Sequence, residues 1–185
     1  MNPTLQAPKV LISSQEIQTR LDQMAKEVNA IYKGAEPIII ICVLKGAFFF
    51  TADLTQRLDF PCQIEFLRLG SYGNSYESSG AVTMIDTIGK ALPDLTDRHV
   101  LILEDIIDTG LTADFFMREI RNHFQPKSLR LAALLNKEAM RTCDVTVDFC
   151  GFVIPNHFVV GYGLDNQGLQ RNLPYIGYID TTETE

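Results

Sequence analysis

Three acids and two hydroxyls fall within nine residues near the middle of the chain: Glu104-Asp105-Ile106-Ile107-Asp108-Thr109-Gly110-Leu111-Thr112. A purely apolar run, Val100-Leu101-Ile102-Leu103, leads into them. A short continuous run of this kind reads as a strand buried on both faces, so the acids stand at its carboxyl end. Ligands of open α/β sheets bind there. The turn Thr109-Gly110-Leu111-Thr112 can aim backbone N–H groups and two hydroxyls at one phosphate, helped by the positive end of a following helix. The pair Glu104 and Asp105 suits ribose hydroxyls, directly or through Mg²⁺. Each residue alone is an ordinary acidic turn or helix cap. The whole string, behind an apolar strand, offers a phosphate cradle and a diol clamp.

The elements that must position this segment follow from periodicity. Ser13-Ser14-Gln15-Glu16 is a capping-box pattern, and Ile17, Leu21, Met24, Val28 and Ile31 behind it form one helical stripe that stops near Gly34. Pro37 opens a β-branched run, Ile38 to Val43, that reads as a fully buried strand, followed by Gly46 and an apolar helical pattern over 47–58. Residues 64–69 read as a strand, 70–80 as a polar lid-like loop, and 81–88 as another strand. Thr112 is the expected N-cap of a helix carrying Phe116, Ile120 and Phe124 inward, closed by Pro126. Residues 129–135 form a third buried strand. Alternating strands and helices predict an α/β fold: a mainly parallel, twisted sheet flanked by helices. From Phe149 onward the pattern breaks at Gly151, Pro155, Gly161 and Gly163, and predicts loops and a small lobe over the carboxyl ends of the strands.

The bulk numbers agree with one soluble domain. The chain has 185 residues, 46% hydrophobic and 21% charged. Its net charge of −7 opposes a surface built for nonspecific nucleic-acid binding. The cysteines Cys42, Cys62, Cys143 and Cys150 form no CxxC pair and have no histidine at ligand spacing, which argues against zinc and for a reducing cytoplasm. The first fourteen residues lack the pattern of a signal peptide, and the longest apolar run, 37–52, is interrupted by Lys45 and too short to span a bilayer. His99, His123 and His157 read as structural or exposed.

On these residues the chain resembles the type I phosphoribosyltransferases. Asp108 within the 104–112 string resembles the hypoxanthine–guanine branch in its bacterial form. Val43-Leu44-Lys45-Gly46 resembles the family's pyrophosphate loop, and Ser71-Tyr72-Gly73 its flexible loop. Lys137 resembles its base-recognition lysine. The stretch from Phe158-Val159-Val160-Gly161-Tyr162 through Asp165 and Arg171 resembles its base-stacking and pyrophosphate end. One departure is Gly70 before Ser71, where the family often has a second serine; residues 76–81 match only loosely.

The resemblance implies a single domain over 1–185, with a hood formed by parts of the N-terminus and about 149–185. It implies purine salvage: transfer of the 5-phosphoribosyl group from phosphoribosyl diphosphate to N9 of hypoxanthine or guanine, with Mg²⁺, giving IMP or GMP and pyrophosphate. Asp108 would be the catalytic acid/base at purine N7. Glu104 and Asp105 would hold the ribose hydroxyls, and Asp108, Thr109, Gly110, Leu111 and Thr112 the 5-phosphate. Leu44, Lys45, Gly46 and Arg171 would hold pyrophosphate, with a cis bond between Leu44 and Lys45. Lys137, Phe158, Val159 and Asp165 would form the purine site, and Asp165, with Glu104 and Asp105, the metal site. Ser71 and Tyr72 would close over the reaction. A homodimer or homotetramer is implied, with no nucleic-acid or membrane partner. A lysine in this setting donates to a 6-oxo group and repels a 6-amino group. Alone, Lys137, Asp165 and Arg171 would be surface charges and Phe158 a core residue; Lys137 is lifted by its place after the strand Leu131–Leu135, Phe158 by its context, and Asp165 and Arg171 only by their joint spacing. A regulatory module that binds nucleotide or nucleic acid and an enzyme acting on xanthine stay open as alternatives.

Overall fold

The computed structural model describes residues 7–68, 86–87 and 92–179. Six strands form the main sheet. In chain order they are β2 (Ile38–Leu44), β3 (Cys62–Arg68), β4 (Asp86–Thr87), β5 (His99–Ile107), β6 (Ser128–Asn136) and β7 (Phe149–Val153). Their spatial order is β4-β3-β2-β5-β6-β7. All neighbours are parallel except β3 and β4, which run antiparallel at one edge. A second, antiparallel sheet contains β1 (Lys9–Ile12), β9 (Ile176–Ile179) and β8 (Phe158–Val160), in that order.

Side-chain alternation divides the core into two layers. Ile38 and Ile40 of β2, Leu101 and Leu103 of β5, and Ala132 and Leu134 of β6 face α1 (Ser14–Tyr32) and α2 (Phe48–Thr55). Ile39, Ile41, Val43, Val100, Ile102, Leu131 and Ala133 face α3 (Leu111–Phe124) on the other side. Strands covered on both faces need no polar side, which is why β2, residues 100–103 of β5 and residues 131–135 of β6 are apolar without interruption.

The capping box forms: Ser13 Oγ accepts from the Glu16 N–H at 3.3 Å, and a Glu16 carboxylate oxygen accepts from the Ser13 N–H at 2.8 Å. Five details differ from the sequence reading. The fifth residue of the α1 stripe, Ile31, is 49% exposed, and Tyr32 turns inward instead. The apolar helix expected over 47–58 is shorter, and the strand expected over 64–69 begins two residues earlier. Thr112 is not the cap of α3. Gly110 holds that place with φ 86°, and Thr112 lies in the first turn, because the glycine alone adopts left-handed backbone without strain.

The fifth difference is architectural. Phe149–Val153 was expected in the terminal lobe, yet it pairs with β6 in the main sheet, Ala132 opposite Phe149 and Leu135 opposite Phe152. Gly151 does not break this strand. A Cβ there would stand 2.3 Å from the Leu134 carbonyl oxygen, so glycine permits the close approach of the two backbones. The small sheet therefore draws on Lys9–Ile12 and on strands beyond Val153. Among the described residues no helix is long and apolar enough to cross a membrane.

Candidate active site

Among the five parallel strands the chain runs outward in opposite directions from the β2–β5 pair, since β3 lies beyond β2 while β6 and β7 lie beyond β5. Such a switch point opens a crevice at the carboxyl ends of the two central strands. Lys45 and Gly46 follow β2, and Glu104 and Asp105 come directly after the part of β5 that pairs with β2, where β5 continues beside β6 alone. The two loops touch: a Cβ on Gly46 would lie 1.5 Å from Asp105 Oδ2. Gly46 is buried, Lys45 is exposed, and the Leu44–Lys45 peptide bond is cis.

Glu104 and Asp105 are held in an apolar setting. Glu104 Oε2 is buried and has no hydrogen-bond partner. Burial raises the Glu104 carboxyl well above the usual carboxylate range, and the neighbouring Asp105 charge adds to it. Burial likewise raises Asp105 to about 6, against the Ile106 N–H that donates to Asp105 Oδ1 at 2.9 Å and the nearby Arg171 charge. Partly buried acids with raised pKa at a sheet crevice mark a functional site.

The segment then turns. Asp108 is exposed, and its carboxylate accepts from Lys137 Nζ at 3.3 Å. Lys137 is 7% exposed, and its ammonium also donates to Asn156 Oδ1 at 3.3 Å. Its backbone N–H donates to the Ile107 carbonyl at 2.9 Å, which fixes the lysine beside the β5 turn. Thr109 Oγ1 accepts from the Leu111 N–H at 3.4 Å. No side chain caps α3, so the positive end of a fourteen-residue helix faces the hollow lined by Glu104, Asp108, Thr109, Gly110 and Thr112. Thr142 N–H and Oγ1 hold the Thr109 carbonyl from behind at 3.0 and 3.3 Å, and Cys143 Sγ at 3.5 Å.

A third segment closes against the first two. A Cβ on Gly163, at φ 104°, would stand 2.0 Å from the Gly46 carbonyl oxygen. Arg171 donates to the Gly163 carbonyl at 2.6 Å and pairs with Asp165 at 2.5 Å. Asp165 also accepts from the Gly168 N–H at 2.6 Å. Phe158 and Val159 lie on β8, just beyond Asn156. Phe158 is 45% exposed while Val159 is buried. An apolar face with a buried neighbour beside a lysine clamp can take a flat heterocycle.

The structure thus gathers 104–112, Lys45–Gly46, Lys137, Asp165 and Arg171. Ser71 and Tyr72 lie outside the described residues. The sequence reading missed Asn156, the Thr142–Cys143 brace and the partner of Tyr162 described below. The Gly161-Tyr162-Gly163 triplet was a usable signal, because a large residue between two glycines marks an unusual turn. Asn156 and Thr142 carried none. The histidines have local roles: His99 Nδ1 lies 2.7 Å from Ser128 Oγ, His123 Nδ1 lies 2.9 Å from the Glu119 carbonyl, and His157 stacks on Tyr178.

Known proteins resemble the chain over nearly its full length. The family described as phosphoribosyl transferase domain matches residues 12–167. The hypoxanthine-guanine phosphoribosyltransferase of Bacillus subtilis is 42% identical over 171 residues, 92% of each chain. A crystal structure of a hypoxanthine-guanine phosphoribosyltransferase from Bacillus anthracis superimposes with a TM-score of 0.84 at 36% identity, covering 94% of this chain and 99% of that one. The bifunctional protein TilS/HprT of Listeria innocua is 43% identical over 171 residues, and this chain spans only 26% of its length. The carboxyl-end crevice, the turn from Thr109 to Thr112 and these matches agree: the chain belongs to the phosphoribosyl transferase domain family.

Proposed function

We propose that the chain is a purine-salvage enzyme that transfers the 5-phosphoribosyl group from phosphoribosyl diphosphate to N9 of hypoxanthine or guanine. The observation that carries this reading is Lys137, nearly buried, with its ammonium between Asp108 and Asn156 at 3.3 Å each. An ammonium has three N–H donors. Two are engaged, and the third is left for a 6-oxo group, while a 6-amino group would meet it donor against donor.

The remaining roles follow from position. The 5-phosphate rests on the N–H groups and hydroxyls of Thr109 to Thr112 at the start of α3. Glu104 and Asp105 hold the ribose by accepting hydrogen bonds from its hydroxyls. Phe158 stacks on the purine and the Val159 backbone hydrogen-bonds its edge. Asp108 takes the purine N7 proton as N9 forms its bond to C1 and the C1–oxygen bond to pyrophosphate breaks. Lys45, the Gly46 backbone and Arg171 neutralise the negative charge that gathers on the departing pyrophosphate. Ser71 and Tyr72 belong to the same proposal as the lid that excludes water.

Members of this family generally use a divalent metal ion. The donors here fit one: Glu104 Oε2 is a buried oxygen without a partner, and Asp105 and Asp165 are close enough to influence each other. Glu104, Asp105 and Asp165 do not form one three-carboxylate cluster, so one or two of them would hold the ion together with substrate phosphates, as Mg²⁺ is commonly bound. When bound there it would supply electrophilic stabilisation of pyrophosphate.

We also read the chain as one domain whose small sheet is the hood. Four free cysteines suit a cytoplasmic setting. The exposed apolar side chains Phe48, Ile64 and Phe66 suit a homodimer or homotetramer. The test is a panel of hypoxanthine, guanine, xanthine and adenine, each with phosphoribosyl diphosphate and Mg²⁺, read by pyrophosphate release. Release with hypoxanthine or guanine and none with adenine is expected. No release with either 6-oxopurine overturns the reading.

A further inference from the structure

Tyr162 shares the backbone region of the glycines on either side of it. The φ angles are 93° at Gly161, 47° at Tyr162 and 104° at Gly163. Glycine enters this region freely, while a bulky side chain is strained there. Strain of this kind survives only where the surroundings impose it, and it concentrates at sites that need a fixed geometry. The ring of Tyr162 supplies the constraint. It is 5% exposed, stacks on Phe49 of α2 with centroids 5.9 Å apart, and donates its hydroxyl to Asp53 Oδ2 at 2.6 Å. The same carboxylate oxygen accepts from Gln18 Nε2 of α1 at 3.0 Å. Arg57 completes the frame: it donates to Gln18 Oε1 at 2.6 Å, to the Asp53 carbonyl at 2.6 Å and to Asp22 at 2.7 Å. One side chain from the terminal arm is therefore fastened to two helices of the main body.

The fastening point lies one residue from Gly163, whose backbone meets the Gly46 carbonyl. Gly163 is in turn joined to Arg171 in both directions, by its N–H to the Arg171 carbonyl at 3.0 Å and by its own carbonyl to the guanidinium at 2.6 Å. Arg171 carries Asp165 with it. We propose that Tyr162 is a positioning residue for the diphosphate end of the substrate. Through Asp53 it sets where Asp165 and Arg171 stand relative to Lys45 and Gly46. This rests on the reading of Arg171 and Lys45 as pyrophosphate-binding groups. Burial and the Asp53 carboxylate both push the phenol far above its ordinary range. Tyr162 is thus a fixed donor across the working pH range and not a proton shuttle.

The test compares Tyr162→Phe, Asp53→Ala, Asp53→Asn and the reference variant Arg171→Gln in both directions of the reaction. Loss of a hydrogen bond to a charged group corresponds to roughly a tenfold change. Tyr162→Phe and Asp53→Ala are each expected to raise KM for phosphoribosyl diphosphate, and for pyrophosphate in the reverse reaction, by about tenfold. KM for hypoxanthine and for IMP should stay within about twofold. Asp53→Asn keeps an acceptor oxygen and is expected near wild type, and Tyr162→Phe combined with Asp53→Ala adds little to either single change. A merely structural role would move all four constants together or lower only the yield of folded protein. If Tyr162→Phe does not fold, the contrast between Asp53→Ala and Asp53→Asn decides alone. Should Arg171→Gln raise KM for pyrophosphate while the Tyr162 and Asp53 variants do not, the pin is refuted and the pyrophosphate site stands. Should Arg171→Gln itself leave that constant unchanged, the assignment of Arg171 fails and the pin falls with it.

Discussion

Asp105 is the residue at which the unfavourable electrostatics of the crevice can be tested. Its carboxyl is raised from 3.8 to about 6, first by burial. Each unit corresponds to about 1.4 kcal/mol between the two protonation states, so ionised Asp105 destabilises the folded chain by about 3 kcal/mol above pH 6. The direction follows from linkage. A carboxyl with a raised pKa binds its proton more tightly when folded, so its contribution is harmless at low pH. Stability is then lost as pH rises from the unfolded value near 3.8 through about 6, and the loss is complete above that. Asp105→Asn removes the charge and keeps the oxygen that accepts the Ile106 N–H.

The variant should therefore be more stable than wild type at pH 8 and close to it at pH 4. For a chain of this size 1 kcal/mol moves Tm by about 2–4 °C, so a gap of roughly 6–12 °C at pH 8 is the expected ceiling. Partial solvation of the crevice and relief of Glu104 by the same change act in opposite directions on that figure. Thermal unfolding of both proteins across pH 4–8, in chelator and without substrate, measures the gap. The variant should also lose most of its transferase activity, the usual exchange between stability and function at a strained site. A gap that does not widen between pH 4 and 8, or a variant less stable than wild type at pH 8, refutes the reasoning.

Two further outcomes test the neighbouring segments. Asp108→Asn should lower kcat with hypoxanthine by about 10²–10⁴-fold, the usual range for loss of a general acid or base, with KM for phosphoribosyl diphosphate little changed; an equal loss in both would assign Asp108 to binding instead. Gly163→Ala places a methyl group 2.0 Å from the Gly46 carbonyl at a left-handed φ, and should destabilise by roughly 2–4 kcal/mol in urea unfolding; a loss under about 0.5 kcal/mol, the range of neutral surface changes, would mean the two loops are not in contact.

What the sequence revealed, and what it hid, divides along physical lines. Continuous apolar runs show the strands buried on both faces, and the capping box shows the start of α1, because each depends on neighbours in the chain. The cluster from Glu104 to Thr112 was legible for the same reason: strand end, turn and helix start are contiguous. Gly151 misled, since a glycine that breaks a strand and one that admits a neighbouring backbone look alike in one dimension. Thr112 misled because a hydroxyl is the commoner cap, while the turn here needs left-handed backbone at Gly110. The pairing of Tyr162 with Asp53 spans 109 positions, and side-chain contacts at that distance leave no local periodicity.

A site assembled from turns faces a mechanical difficulty, because irregular backbone has few hydrogen bonds of its own to hold a shape. Each of the three segments here is fixed from outside itself. The turn from Thr109 to Thr112 is gripped at the Thr109 carbonyl by Thr142 and Cys143, and Arg141 packs behind Gly110 so closely that a Cβ on that glycine would lie 2.8 Å from Arg141 Cδ. The Lys45–Gly46 loop is wedged between the Asp105 carboxylate and the Gly163 backbone. The terminal arm is fastened through Tyr162 to α1 and α2. Glycine recurs at 46, 110 and 163 because something passes each of them closer than a methyl group allows. Such wedging accounts for a crevice that keeps two carboxyls buried in spite of their mutual repulsion: separating the loops to relieve the acids would also undo the contacts that hold all three segments in register.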